Sequence, residues 1–429
     1  MAAPENWRFE TKQIHSGAQP DPVTKARATP IYQTTSYVFD SADHAANLFA
    51  LAEFGNIYTR IQNPTQEVVE IRLAALEGGT GALLLASGQA AETAAVLNIA
   101  QAGDHIVSSS SIYGGTYNLF KYTLAKLGIE TTFVENQDDP AEWHAAVRPN
   151  TKLFFAETIG NPKINVLDIR TVADVAHESG VPLIVDNTIA TPYLIRPFEH
   201  GADIVIHSLT KFMGGHGNSI GGIIVDCGTF DWLASKKKYP TLQDPNPSYN
   251  GMRLAETFGN FAFAIACRVM GLRDLGPAMS PFNAFLIITG IETLPLRMAK
   301  HCENAVAVAK HLEKHKKVEW VNYAGLAKNP YHAVAKKICP KGAGSVFTFG
   351  LKGGYEAGVK LVSNVKLLSH LANIGDVRSL IIHPASTTHR QLTDEQKKAA
   401  GAGPDVVRLS IGLEDAADII ADLRQGLAG

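Results

Sequence analysis

The feature that most restricts this chain is a succession of short apolar runs set between helical patterns, at 82–87, 104–110, 131–134, 153–157, 182–186, 203–208 and 221–226. Runs of this length, bounded by Gly, Pro and polar residues, read as strands. Parallel neighbours need a crossover between them, and strands buried on both faces lose the apolar–polar alternation. Strands alternating with helices therefore predict an α/β protein with a large, mainly parallel sheet. At 429 residues the chain exceeds one ordinary core. The later patterns, strand-like at 318–322 and 345–349 and helical at 356–368 and from 415, predict a smaller C-terminal α/β domain. We place the boundaries at 66–278 for the large domain and 279–429 for the small one. Residues 1–65 are rich in Pro, Thr, Gln and aromatics and show little periodicity. They read as an extended arm with one short helix near 41–53. Such an arm cannot bury itself, so it is expected to lie on a partner subunit.

Composition removes several function classes. A net charge of −2 gives no reason to expect nucleic acid or an anionic membrane as partner. The four cysteines, Cys227, Cys267, Cys302 and Cys339, form no C-x-x-C pair, so neither a zinc knuckle nor a disulfide framework is indicated and no metal site is expected. A reducing, cytoplasmic compartment fits. The N-terminus has no apolar signal region, and no run approaches a membrane span.

Chemistry concentrates in the stretch from Asp203 to Gly222, an apolar strand that runs out into Ser208, Thr210, Lys211 and a glycine-rich turn. A lysine among apolar residues and hydroxyls is pushed towards its neutral, nucleophilic form. Hydroxyls and glycine-freed backbone N–H groups beside it suit a phosphate. A nucleophilic lysine with a phosphate cradle suggests pyridoxal phosphate. Taken alone, a Ser-x-Thr-Lys is usually a solvated turn.

Other segments supply partners. At Ser87-Gly88-Gln89 a strand turns into an alanine-rich helix, whose exposed N–H groups and dipole favour an anion. Asp186 ends an apolar strand 25 residues before Lys211, where an α/β fold places ligand chemistry, although an Asp there also serves as a helix cap. Tyr113 precedes two glycines, which leave room for its ring to lie against a flat group or to pack in the core. Tyr58 and Arg60 sit two apart, so an extended segment would turn both towards one anion, and a surface turn is the other reading. Arg408 lies in an apolar strand and requires an anion, either a structural carboxylate or a ligand.

The order and spacing of these segments resemble the pyridoxal-phosphate enzymes of Cys/Met metabolism, from about residue 8 to the C-terminus. Asp203, Ser208, Thr210, Lys211, Phe212, Gly215 and His216 match the lysine signature. The resemblance implies a fold-type-I transferase with Lys211 bonded to the cofactor and then acting as the base. Asp186 would pair with the pyridinium nitrogen. Ser208, Thr210, Gly88 and Gln89 would hold the cofactor, with Tyr58 and Arg60 reaching its phosphate from a partner subunit. Tyr113 would stack on the ring and assist proton transfer at the substrate, and Asn161 would donate to the ring oxygen. Arg408, with Ser379 and Asn161, would bind the substrate, Arg408 through the α-carboxylate. Dimers sharing active sites, paired into tetramers, are expected.

Within the family the polar segment 239–251 resembles the insertion that separates O-acetylhomoserine sulfhydrylases from the cystathionine enzymes. Gly115 stands where methionine γ-lyases often have cysteine, and Arg378 where most lyases have an acid. These features imply γ-replacement on O-acetylhomoserine with sulfide or a thiol. Cystathionine γ-synthase and methionine γ-lyase are the alternatives within the family. A silent phosphate-ligand binding protein is the alternative outside catalysis.

Overall fold

The computed structural model describes residues 6–234, 237–391 and 393–429. Seven strands form the larger sheet: β1 (Gly81–Leu85), β2 (His105–Ser109), β3 (Glu130–Val134), β4 (Thr151–Glu157), β5 (Leu183–Asp186), β6 (Ile204–Ser208) and β7 (Gly222–Asp226). Their spatial order is β1-β7-β6-β5-β4-β2-β3. The five strands from β6 to β3 run parallel, and β7 is inserted antiparallel between β6 and β1. Strands β2, β4 and β7 are buried along their whole length, which is why their sequences lack the apolar–polar alternation of a half-exposed strand.

Local chemistry sets the helices between them. The helix Pro64–Glu77 starts with Asn63 accepting the N–H of Thr65 at 2.9 Å and ends at Gly78 in the left-handed conformation, φ 85°. The helix Gly88–Ile99 starts with the Ser87 hydroxyl accepting the N–H of Ala90 at 3.1 Å. Its alanines allow close packing on the sheet.

The second sheet, β10-β11-β12-β9-β8, is mostly antiparallel: β8 (Val318–Asn322), β9 (Val346–Leu351), β10 (Ser369–His370), β11 (Leu380–Ile382) and β12 (Val406–Ser410). It is linked to the first by the helices Pro281–Ile291 and Leu294–Glu313. One buried apolar cluster runs from Val68 through Leu209 and Met298 to Leu427, so the two sheets share a continuous core. At roughly 1.5–3 kcal/mol per buried large aliphatic or aromatic side chain, that cluster fixes the second sheet against the first.

The N-terminal region contains the helix Phe9–His15, which the low periodicity hid, and the expected second helix at Ala42–Phe49, capped by Ser41. The first five residues of the arm lie outside the described residues. Among the described residues no helix is long and apolar enough to cross a membrane.

Candidate active site

Parallel strands deliver their C-terminal ends to one edge of the sheet, and the chemistry-bearing residues stand there. Asp186 ends β5 and lies in register with Glu157 at the end of β4. Ser208 ends β6, with Lys211 three residues beyond. Ser87 and Gly88 follow β1, and Tyr113 follows β2.

The lysine loop is held by a residue the sequence did not disclose. Arg297, 5 % exposed, donates from Nη1 to the Phe212 carbonyl at 2.6 Å and from Nη2 to the carbonyls of Met213, at 3.0 Å, and Gly290, at 2.6 Å. A Cβ on Gly215, at φ +73°, would lie 2.2 Å from Arg297 Nη1. Gly215 therefore makes room for this buried guanidinium, whereas the sequence suggested only that the glycines freed N–H groups for a phosphate. Arg297 is a signal sequence reading could not use, since the carbonyls through which it holds the lysine loop lie 85 and 84 residues away.

Lys211 Nζ donates to Asn373 Oδ1 at 2.5 Å. Burial, reinforced by the Arg408 charge, pulls its amine down to about 8, against the opposing pull of Asp186. Burial raises Asp186, while the hydrogen bonds from Thr188 and the nearby His207 and Lys211 act to lower it. The Thr188 N–H reaches Asp186 Oδ1 at 2.8 Å. Two further carboxylates face Asp186. Glu157 is 5 % and Glu92 2 % exposed, and burial followed by the Asp186 charge drives both well above the usual carboxylate range. Glu157 accepts the N–H of Tyr113 at 2.5 Å and Glu92 the hydroxyl of Thr116 at 2.9 Å. Glu92 Oε2 is buried without a protein partner. Neither glutamate was expected to belong to this cluster.

Arg408, on β12, crosses to the same edge. Its Nη1 donates to Asn161 Oδ1 at 3.0 Å and its Nη2 to the Asn373 carbonyl at 3.2 Å. No carboxylate appears among these partners, so the structural ion pair considered for Arg408 is not what they describe. Burial pulls Arg408 down to about 10, with Tyr113 acting the other way. With Oδ1 committed to Arg408, Asn161 presents its NH2 as the donor end. The Tyr113 ring folds back over Gly115, where an added Cβ would lie 2.4 Å from Tyr113 Cε1. Any side chain at 115 would displace the ring from this position.

The anion end is built by close backbone approach. Gly222 pairs with both Leu85 and Ser208 across β7. A Cβ on Gly222 would lie 2.0 Å from the Ser87 carbonyl oxygen, and one on Gly88 would lie 2.9 Å from Ser208 Cβ. Glycine at both positions lets the turn at Gly88 and Gln89 sit directly on the end of β6. The first N–H groups of the helix Gly88–Ile99 are ones a helix cannot satisfy itself. Thr210 Oγ1 exchanges hydrogen bonds with the Gly221 N–H and carbonyl, at 3.1 and 3.3 Å, which ties the lysine loop to the same turn.

Three expected site residues are placed otherwise in the single chain. The Arg60 guanidinium lies over the Tyr58 ring, 5.4 Å from its centroid, and donates to the Arg273 carbonyl, so this pair is not gathered with Lys211. Ser379 is fully buried and committed to Glu414: its N–H donates to Oε1 at 2.6 Å and its hydroxyl to Oε2 at 2.9 Å, while the hydroxyl oxygen accepts the N–H of Gly412. Arg378 pairs with Asp376 at 2.9 Å. The polar segment 239–251 is folded onto the large domain. It contains the helical turns Pro240–Gln243 and Pro247–Tyr249, and Tyr239 packs 5.1 Å from Trp232, its hydroxyl donating to the Lys152 carbonyl at 3.0 Å.

The arrangement suits pyridoxal phosphate. A lysine with a depressed pKa faces the site, a glycine-lined turn meets a helix N-terminus at one end, and a cluster of three carboxylates, one oxygen unpartnered, calls for a cation at the other. The family profile described as Cys/Met metabolism PLP-dependent enzyme matches residues 10–428. The chain belongs to this family. Among curated relatives of this family member, the O-acetyl-L-homoserine sulfhydrylase of Leptospira meyeri is 55% identical over 99% of this chain and 97% of its own. The homocysteine synthase of Schizosaccharomyces pombe is 53% identical over 99% of each chain. The crystal structure of a putative O-acetylhomoserine (thiol)-lyase from Campylobacter jejuni superposes with a TM-score of 0.95 at 40% identity, covering 99% of this chain and 100% of that one. That protein carries an N'-pyridoxyl-lysine-5'-monophosphate. The enzyme described here is therefore pyridoxal-phosphate dependent and has the fold-type-I architecture, its large and small sheets matching the expected division into a major and a minor α/β unit.

Proposed function

We propose that this enzyme replaces the acetoxy group at Cγ of O-acetylhomoserine with sulfide, forming homocysteine and releasing acetate. The observation that carries the reading is the contact line from Lys211 through Asn373 to Arg408 and Asn161. It places a proton-accepting amine beside a guanidinium that has no carboxylate among these partners. This is the pairing an α-amino acid needs: a clamp for its carboxylate and a base for its Cα proton. The names of full-length relatives supply the substrate.

Lys211, Asp186, Ser208, Thr210 and the turn at Gly88 and Gln89 would hold the cofactor, with Tyr113 against its ring and Asn161 donating to its ring oxygen. Bound pyridoxal phosphate supplies the electron sink that makes the protons on Cα and Cβ removable. Arg408 binds the α-carboxylate and orients Cα towards Lys211. The Lys211 amine takes the Cα proton and, once freed of it, a Cβ proton, so that the electrons of the Cβ–H bond expel acetate from Cγ; after the sulfur adds at Cγ, protons return to Cβ and Cα. With the cofactor bound, Asp186 would pair with its ring nitrogen and be held ionised by that positive charge. Tyr113, exposed at the mouth, stands at the Cγ end, where acetate departs and the sulfur nucleophile adds.

The working unit in this reading is a dimer with shared sites, paired into a tetramer. Val38, Phe49 and Phe54 in the arm are 96, 61 and 63 % exposed, an apolar surface suited to a second copy of this chain. Tyr58 and Arg60 would then reach the partner's phosphate. Mixing Lys211→Ala with Arg60→Ala subunits is expected to restore about a quarter of the wild-type sites, since half of randomly paired dimers carry one intact site. No recovery on mixing would exclude shared sites. The four free cysteines fit the reducing, cytoplasmic compartment we assign.

The reaction itself is tested by offering the loaded enzyme O-acetylhomoserine with sulfide, with cysteine, or alone. Homocysteine formed much faster than any other product is expected. Cystathionine as the main product would reassign the enzyme to synthesis with cysteine, and 2-oxobutyrate without either would make it a lyase.

A further inference from the structure

We propose that Asn373 is the positioning residue for the proton-carrying lysine: its side-chain amide oxygen holds the free Lys211 amine while its backbone carbonyl holds Arg408. The inference rests on Lys211 being the proton carrier of the reaction above. Nothing in the local sequence marks Asn373. It stands in an irregular segment between β10 and β11, and its two contacts reach residues 162 positions earlier and 35 positions later.

The segment is fixed in place by the lysine loop. Gly375 has φ +76°, and a Cβ there would lie 2.6 Å from the Phe212 nitrogen and 2.9 Å from the Lys211 carbonyl carbon. Its N–H donates to Ser410 Oγ at 2.9 Å, two residues from Arg408 on β12. The Val377 N–H donates to the Gly215 carbonyl at 2.8 Å. Asn373 is thus wedged between the backbone that carries the base and the strand that carries the carboxylate clamp.

The two halves of Asn373 do different work. An amide oxygen accepts a hydrogen bond from an amine in either protonation state, and more strongly from the ammonium. It therefore gives the released amine a fixed resting place and favours its protonated form. The charged groups acting on Lys211 are Arg408 from β12, which disfavours the ammonium, and Asp186 from β5, which favours it. The backbone carbonyl holding Arg408 is independent of the side chain.

The test is made first on cofactor-free protein. Lys211 is labelled with acetic anhydride across a pH series in wild type, Asn373→Leu and Asn373→Asp, and quantified by mass spectrometry against exposed Lys121. Asn373→Leu removes the acceptor, so its labelling midpoint is expected to fall and its labelling at pH 7 to rise about two- to fivefold. Asn373→Asp places a carboxylate at the amine, so its midpoint is expected to rise and its labelling at pH 7 to fall. Opposite shifts cannot come from altered access alone. Unchanged midpoints, or shifts in one direction only, would overturn the proposal. In loaded enzyme, Asn373→Leu is expected to lower kcat about tenfold or more with KM for the amino acid within about threefold, because the carbonyl on Arg408 remains. A raised KM at unchanged kcat would contradict the assignment by placing Asn373 in the carboxylate clamp alone. Failure of wild type to bind pyridoxal phosphate would remove the proposed reaction, and the labelling midpoints would still decide the Lys211 contact.

Discussion

Substitution of Lys211 by alanine is expected to lower turnover at least about 10³-fold, since it removes both the covalent tether of the cofactor and the proton carrier. The same substitution is expected to abolish the absorbance band near the visible edge that a lysine-linked pyridoxal phosphate gives. Phosphate contacts remain in the variant, so cofactor is still expected to bind, more weakly and with the spectrum of the free aldehyde. The effect should be local. The Lys211 carbonyl accepts the Gly215 N–H at 2.7 Å and the Phe212 and Met213 carbonyls that follow accept from Arg297, and none of those contacts uses the Lys211 side chain. Turnover within tenfold of wild type would show that another group moves the proton.

The second large effect is expected at Arg408. Arg408→Lys loses the planar fork that reaches Asn161 and the Asn373 carbonyl together, and with it bidentate carboxylate binding. Hydrogen bonds to charged groups contribute about 1.5–3 kcal/mol each, so losing two lowers kcat/KM by about 10²–10⁴-fold. Most of that should appear in KM for the amino acid, because the carboxylate is bound in ground and transition state alike. Steady-state kinetics at varied O-acetylhomoserine measures this directly. A variant with normal KM would assign Arg408 to structure.

Five site residues were legible in the sequence because each stands at or just past the end of an apolar run. Asp186 and Ser208 end strands and Lys211, Gly88 and Tyr113 follow them, and parallel topology brings the C-terminal ends of β1, β2, β5 and β6 to one edge. What stayed hidden depends on pairings across long stretches of chain. Asn373 and Arg297 act on the lysine loop from the segment before β11 and from the helix Leu294–Glu313, and neither position has a pattern of its own. Glu92 and Glu157 join Asp186 only because β4 and β5 pair in register and the helix Gly88–Ile99 packs beside them. The segment 239–251 reads as polar, and its Tyr239 finds Trp232 and Phe263 only in the folded chain. Phe9–His15 was missed because a short helix held by outside contacts needs no strong periodicity of its own.

The most direct measurement is to reduce the loaded enzyme with borohydride, digest it, and map the pyridoxyl group by mass spectrometry. The account predicts one modified site, Lys211, in near-stoichiometric yield, with the modification prevented in Lys211→Ala. A pyridoxyl group on another lysine, or spread over surface lysines in proportion to their exposure, would contradict it.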